Sequence, residues 1–325
     1  MIAELNESLR KAKSLDELYG RLDGPSLTPG WIDSKRKTPI LRRAPYTEFK
    51  PAHWSYATAH AGLEAAGRLI DTHLAERRNL VMRNPIEGNE FSTTRTQVCA
   101  YQSMLPGEKA RSHRHSPHAL RVILDAEGAY SIVDGEKHPM ETGDVVLTPG
   151  WAWHGHGHEG QDQSYWFDGL DVPLVQLLEP MFTEEHPDVY EAIKRVTPDS
   201  PFRFTWDWSQ KALDSAQADP EGRYGRAIHL DAPTMPTMDL YIHRYGSGEK
   251  TRPYREAANN VWVVMQGNGV STIGETRIEW SHGDTFAAPI WHAIRHEISR
   301  DAVLFRMSDE TVMRFCRYYR TEWTD

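Results

Sequence analysis

The sequence predicts an all-β protein made of two copies of one β-unit, preceded by an arm of helix and extended chain. Three observations carry this. From Arg78 onward, short apolar runs such as RNLVMRNP, TQVCAYQSML and SYWFDGL are broken by Gly, Pro and Asp-Gly turns. Many short strands at that spacing mark a β-sandwich or barrel. The stretch LRVILDAEGAYSIVDGEKHPMETGDVVLTPGWAWH, from Leu120, is then echoed by VWVVMQGNGVSTIGETRIEWSHGDTFAAPIWHAI, from Val261. Both run strand, Gly turn, strand, turn, strand, Gly-Asp, strand, Pro-x-Trp, roughly 140 residues apart, which reads as a duplication. Residues 1–75 lack this texture.

The elements follow in order. Leu5, Leu9, Ala12, Leu15, Leu18 and Leu22 recur at steps of three or four and predict a helix over 2–22. Residues 24–55 carry Pro25, Pro29, Pro39, Pro45 and Pro51, an extended arm laid over another surface. A second helix is predicted over 56–74. The first β-unit takes 76–180. A linker, 181–225, holds a helix near TEEHPDVYEAIKRV and the stretch FRFTWDWSQKAL. The second β-unit takes 226–325.

Composition narrows the function. Of 325 residues, 39% are hydrophobic and 26% charged, the balance of a globular chain, which this length lets bury a sizeable core. A net charge of -9 with no Lys/Arg-rich run argues against a nucleic-acid partner. No stretch approaches a membrane span, and the charged N-terminus lacks the apolar run of a signal peptide. Two distant cysteines, Cys99 and Cys316, make no disulfide framework, so the cytoplasm is the simplest home.

The chemistry gathers around SHRHSPHALRV, Ser112 to Val122. Alternate strand residues share a face, so His113 and His115 can aim at one point. His154 follows in GDVVLTPGWAWH. Imidazole suits Fe, Ni, Cu and Zn, and three ligands leave coordination positions open. A lone His-x-His pair is more often a surface feature. The full frame is more specific: Gly107-x5-His113-x-His115, Gly128, Gly143-x5-Pro149, His154. It resembles the two motifs of the cupin superfamily. The Glu that usually follows the second His is missing in SPHALRV, which points to three histidines and no acid. His118 is the competing ligand, and a solvated histidine in a turn is its plainer reading. In the second copy the matching positions are Tyr254, Glu256 and Ile294; His292 and His296 lie nearby outside the frame. One metal per chain is expected.

From about Glu76 to the end, HRHSPHALRVILDAEGAYSIVDGEKHPMETGDVVLTPGWAWHGHGHEG and WFDGLDVPLV resemble the gentisate 1,2-dioxygenase family, which includes salicylate and 1-hydroxy-2-naphthoate dioxygenases. The resemblance implies a bicupin, two jelly-roll barrels, that uses Fe(II) and O2 to split a small aromatic hydroxy-acid between the carboxylate- and hydroxyl-bearing carbons. It also implies a homo-oligomer, tetramer or dimer. His113, His115 and His154 match the iron ligands, and Arg121 matches the arginine that forks onto the substrate carboxylate. Arg77 matches a second anion-binding arginine, with Arg78 adjacent as the alternative. Gln102 matches a pocket glutamine. His156 matches a histidine near the substrate hydroxyl, and Asp168 is expected to orient it. His158 is expected to be solvated or structural, and Trp151 and Trp153 to pack the barrel mouth.

Three positions depart from the family pattern. His154-Gly155-His156 stands where His-Asp-His is common. Val98 and Ala100 stand where an aromatic and a small residue precede the glutamine. A reshaped pocket follows, and with it a second candidate substrate class, halo- or nitro-substituted salicylate or 1-hydroxy-2-naphthoate. Readings from other classes are an O2-independent cupin isomerase, which would act without O2, and a non-catalytic binding cupin, which would not need the three histidines.

Overall fold

The computed structural model describes residues 2–31, 39–71, 77–197 and 199–324. Its contacts divide the chain into two compact units, 1–46 and 47–325. The first holds two short helices, Ile2–Arg10 and Leu15–Asp23, and not the single helix expected over 2–22. The break falls at Ser14, whose hydroxyl accepts the Glu17 N–H and caps a new helix, with Asp16 and Glu17 at its positive end. Trp31 donates its indole N–H to Tyr19, 2.9 Å away.

The second unit begins inside the expected arm, so the division falls well before residue 75. Its opening strand, Ala52–Trp54, pairs antiparallel with Thr285–Ala288 and extends the sheet of the second β-unit. Ser55 caps the helix Tyr56–Leu69, which buries Ala59 and Leu63. Ile70 ends it, short of the expected 74; residues 72–76 lie outside the described ones.

The first β-unit is two six-stranded sheets. One runs Arg203–Phe204, Val145–Thr148, Ala119–Asp125, Ser164–Leu170, Val98–Met104, Arg78–Val81. The other runs Thr183–Glu185, Lys109–His115, His154–His158, Ala129–Val133, Glu136–Met140, Arg195–Val196. Strand alternation gives the first sheet two faces. Val122, Val145 and Phe167 point to a core shared with Leu240, Val263 and Phe305 of the second β-unit. The intervening residues face the other sheet, where Met104, Ile123, Val146 and Trp166 meet Ala110, Ala129 and Met140.

The second β-unit is a nine-stranded sheet built on two long strands, Asn260–Ile273 and Ile294–Ser308. The duplication is visible in its pairing. Tyr254 faces Ile294 as His113 faces His154. Trp151 and Trp291 both adopt a left-handed backbone (φ 68° and 66°), and their N–H groups donate to the carbonyls of His115 and Glu256 respectively.

No helix forms in 183–196. Thr183–Glu185 pairs with the histidine strand, Thr183 opposite His115 and Glu185 opposite His113. Arg195–Val196 lies parallel to Glu136–Met140 at the far edge of the same sheet. Pro187 interrupts the apolar periodicity, and covering two open sheet edges wins over an isolated helix. The linker's helix is Trp206–Ser215, capped by Thr205. Among the described residues no helix is long and apolar enough to cross a membrane.

Candidate metal centre

His113 and His115 end one strand and His154 opens its neighbour, with His113 directly across from His154. A bulge between Ala110 and His113 re-aims the strand end. The candidate ligand atoms of the three imidazoles lie within 4.8 Å of one another. Each Nδ1 sits against a backbone carbonyl: His113 on Arg111 at 3.2 Å, His115 on Pro117 at 2.8 Å, His154 on Ala152 at 3.0 Å. An Nδ1–H held this way leaves the Nε2 lone pair free.

Burial, with the positive charge of Arg77, pushes His113 down to about 4; burial and His113 push His115 to about 4. His154 is held well below the ordinary range, first by burial and then by its two neighbours. All three rings are therefore neutral at pH 7, and the buried Nε2 of His154 has no protein partner. Three neutral imidazoles with open Nε2 atoms fit a divalent transition metal.

Beside the triad the facing sheet supplies a charged row. Ala100, Asp168 and Arg121 stand directly across from one another on adjacent strands. Arg121, 2% exposed, donates from Nη1 to Thr148 at 2.6 Å, and its Nε lies 3.3 Å from Asp168. Among the described residues its Nη2 has no hydrogen-bond partner. Burial lowers the Arg121 pKa to about 10, so it remains a cation at neutral pH. Burial raises that of Asp168, against the pull of Arg121 and Arg77. Asp168 is thus the partner of Arg121 and not, as expected, the orienter of His156. Both nitrogens of buried His156 lack a protein partner, and burial holds its pKa well below the ordinary range.

The other expected pocket residues divide. Gln102 lies across from Trp166 with its Nε2 buried and unpartnered, and it shares a face with Val98 and Ala100. The charge of Arg77 is felt by His113, His156 and Asp168, which places it beside the site. Arg78 is used elsewhere. Its guanidinium grips Glu108 at 2.7 and 2.8 Å and the carbonyl of Ile70 at 2.5 and 2.9 Å, tying the strand to the end of the preceding helix. It has no free face for a substrate.

His118 is no ligand: its Nδ1 accepts the Gly150 N–H at 2.8 Å. His158 is structural, bonded to the Asp162 carbonyl, the Gly160 N–H and Ser164. Trp151 and Trp153 do not pack as core; their rings clamp the Arg114 guanidinium at 4.5 and 4.4 Å. Gly155 faces away from the pocket. A Cβ there would lie 2.6 Å from Ser112 Oγ, on the outer side of the sheet. It therefore gives no reason for a reshaped pocket, whereas Val98 still does. Thr148, just before the Pro149 of the frame, went unread; the VVLT alternation places it inward.

A cupin with, among the described residues, one three-histidine cluster able to hold a metal, on the first of two barrels, is the class that fold and geometry define, and a cupin-domain family model matches residues 100–172. A gentisate 1,2-dioxygenase from Ralstonia sp is 43% identical over 312 residues, 88% of this chain and 87% of that protein. Gentisate 1,2 dioxygenase 1 from Aquipseudomonas alcaligenes is 33% identical over 95% of this chain and 96% of its own. The crystal structure of a salicylate 1,2-dioxygenase from Pseudaminobacter salicylatoxidans superposes with a TM-score of 0.85 at 26% identity, covering 96% of this chain and 97% of that one. The chain belongs to the gentisate 1,2-dioxygenase family and is a bicupin ring-cleaving dioxygenase, as the sequence resemblance implied.

Proposed function

We propose that the protein binds one Fe(II) per chain on His113, His115 and His154 and cleaves the ring of a 2-hydroxybenzoate with O2. The observation that carries this is the convergence of three neutral imidazoles, Nε2 inward, beside an arginine whose Nη2 is unspent. Iron(II) held there would offer positions for the substrate's carboxylate and hydroxyl oxygens and for O2, and would pass to O2 electrons that the substrate ring gives up.

The chain's own residues do the rest. Arg121, braced by Asp168 and Thr148, takes the substrate carboxylate, and Arg77, just before the strand Arg78–Val81, adds a second positive charge. Gln102 and His156 present unpartnered polar atoms to the ring's oxygens. Val98 and Ala100 line the row past Gln102 and set the width of the pocket. Gentisate is the first reading of the substrate. A 5-substituted salicylate or 1-hydroxy-2-naphthoate is the second, favoured by Val98 in place of a larger ring.

The cytoplasm suits a chain whose Cys99 and Cys316 are both free thiols. Exposed Leu177, Leu178 and Phe315 support a homo-oligomer, tetramer or dimer. The deciding experiment is O2 uptake by the iron-loaded protein on gentisate, salicylate, 5-substituted salicylates and 1-hydroxy-2-naphthoate, with iron measured in parallel for wild type and His115→Ala. Uptake matched by loss of aromatic absorbance is expected, and His115→Ala is expected to fold without iron. Full iron in that variant overturns the ligand assignment. Turnover without O2 consumption overturns the dioxygenase reading.

A further inference from the structure

Ser131 stands directly across from His156 on one side and from His138 on the other, in register over three adjacent strands. Directly opposed residues share a face, so the three side chains form one row. Next to it, opposed Ala129 and Met140 belong to the core between the sheets, which places the row inside the barrel. His138 and Ser131 are fully buried and His156 is 3% exposed. Neither nitrogen of His156 nor Ser131 Oγ has a protein hydrogen-bond partner, and His138 has no more than a poorly aligned contact with the Thr197 backbone.

The other two histidines of the His156 strand differ. On the same strand, His154 has its Nδ1 on a carbonyl and His158 is bonded at both nitrogens. Buried polar groups are paired with protein or with enclosed water, and a water needs roughly two to four polar partners, which this row offers.

The second β-unit repeats the arrangement. His296 occupies the position of His156, two residues beyond Ile294, and Ser271 stands directly across from it. There the hydroxyl and His296 Nδ1 are bonded at 2.7 Å, Ser271 also accepts the Trp280 indole N–H, and His296 Nε2 has no partner. Serine facing histidine has therefore been kept in the copy that lost its metal ligands. In the copy that has them, His138 stands beyond the serine where the second copy has Ile278.

We propose that Ser131 and His138 are positioning residues for His156: the Ser131 hydroxyl, through one enclosed water shared with His138, holds His156 Nδ1 and leaves Nε2–H to face the substrate hydroxyl. This rests on the placement of His156 at the substrate given above. Ser131 Oγ and His156 Nδ1 make no direct hydrogen bond, and the water joins them. Donation to Nδ1 fixes the tautomer, so the pocket meets the substrate with a donor and not with a mixture. Half-buried Thr197, beside His138, ends the row near the sheet edge. Its hydroxyl is also buried and unpartnered.

The test uses the iron-loaded full chain and its metal-free form. A crystal structure near 1.5 Å is expected to show water bonded to Ser131 Oγ and His156 Nδ1, with His138 as a further partner. Imidazole ¹⁵N NMR of the metal-free protein is expected to show His156 as Nε2–H. Ser131→Ala is expected to lower kcat about tenfold with KM within about twofold, iron content unchanged and a mixed His156 tautomer. Ser131→Thr, which keeps the hydroxyl, is expected to restore most of it. A dry row, an Nδ1–H tautomer in the wild type, or an unchanged kcat in Ser131→Ala overturns the proposal. A wild type that cleaves no ring overturns the functional reading instead, and the crystal and NMR results then decide the positioning role alone.

Discussion

Replacing Arg121 by Met separates the ion pair seen in the structure from the substrate contact proposed for the same side chain. Arg121 is buried and paired with buried Asp168 at 3.3 Å. Breaking a buried pair from one side costs about 3–5 kcal/mol, because the other charge is left alone. Burial already raises the Asp168 pKa, so without Arg121 the carboxyl takes a proton nearer neutrality and the loss falls at the lower end. At about 2–4 °C per kcal/mol for a chain of this size, Tm drops on the order of 6–12 °C. Adding Asp168→Asn removes the stranded charge, and Tm recovers most of that fall. Activity is expected to behave differently. The guanidinium's charge-assisted hydrogen bonds to a carboxylate are worth about 1.5–3 kcal/mol each. With Arg77 and the metal still attracting the substrate, a net loss of about 3 kcal/mol is expected, about 150-fold in kcat/KM. The assay is O2 uptake against substrate concentration, with differential scanning calorimetry on the same preparations. The reasoning is refuted if the double variant regains kcat/KM to within a few-fold of wild type. Arg121 would then serve only Asp168, and the carboxylate would be held elsewhere.

Two further predictions concern packing and pH. Gly155→Ala puts a methyl against Ser112 Oγ and is expected to cost about 1–3 kcal/mol, relieved in Gly155→Ala/Ser112→Ala, with the order of preferred substrates unchanged; a changed order would place Gly155 at the pocket after all. The metal-free protein is expected to lose stability as pH falls from about 6.5 toward 4. His113 and His115 titrate at about 4 and His296 at about 3 in the folded state, against about 6.5 unfolded. Between those values the unfolded chain binds more protons, so acid favours it. Urea midpoints at pH 7.5, 6 and 5 measure this, and equal midpoints would sink it.

The duplication and the metal frame were legible because each is a matter of chain spacing, whereas Arg121, Arg77 and Asp168 stood out only through the family resemblance. The alignment set Tyr254 against His113 and Ile294 against His154, and in the fold Tyr254 pairs with Ile294 as His113 pairs with His154. Relations across strands were not legible. Nothing in the spacing of Arg121, His156 and Asp168 says which of the two the carboxylate meets. AYSIVDGEKHPM reads as an ordinary hairpin until pairing brings Ser131 and His138 into line with His156. Arg77 and Arg78 are adjacent in the sequence, yet Arg78 opens the strand Arg78–Val81 and is spent on Glu108 and Ile70, while Arg77 lies just outside it. The segment 183–196 looked helical because local periodicity cannot weigh the pull of an unpaired sheet edge one strand from the metal ligands.

The strands that carry Arg121, Gln102 and Asp168 into the interior beside the three histidines turn their alternate residues, among them Val122, Tyr101 and Phe167, into the core shared with the second barrel. Reactive and load-carrying side chains are thus interleaved one by one along the same backbone. A half-chain ending near 180 would be left with a bare apolar sheet. The copy without metal ligands is therefore no relic that could be trimmed away. Duplication freed it from chemistry by binding it to support, and substitutions in its apolar strands reach the reacting groups across a single peptide unit.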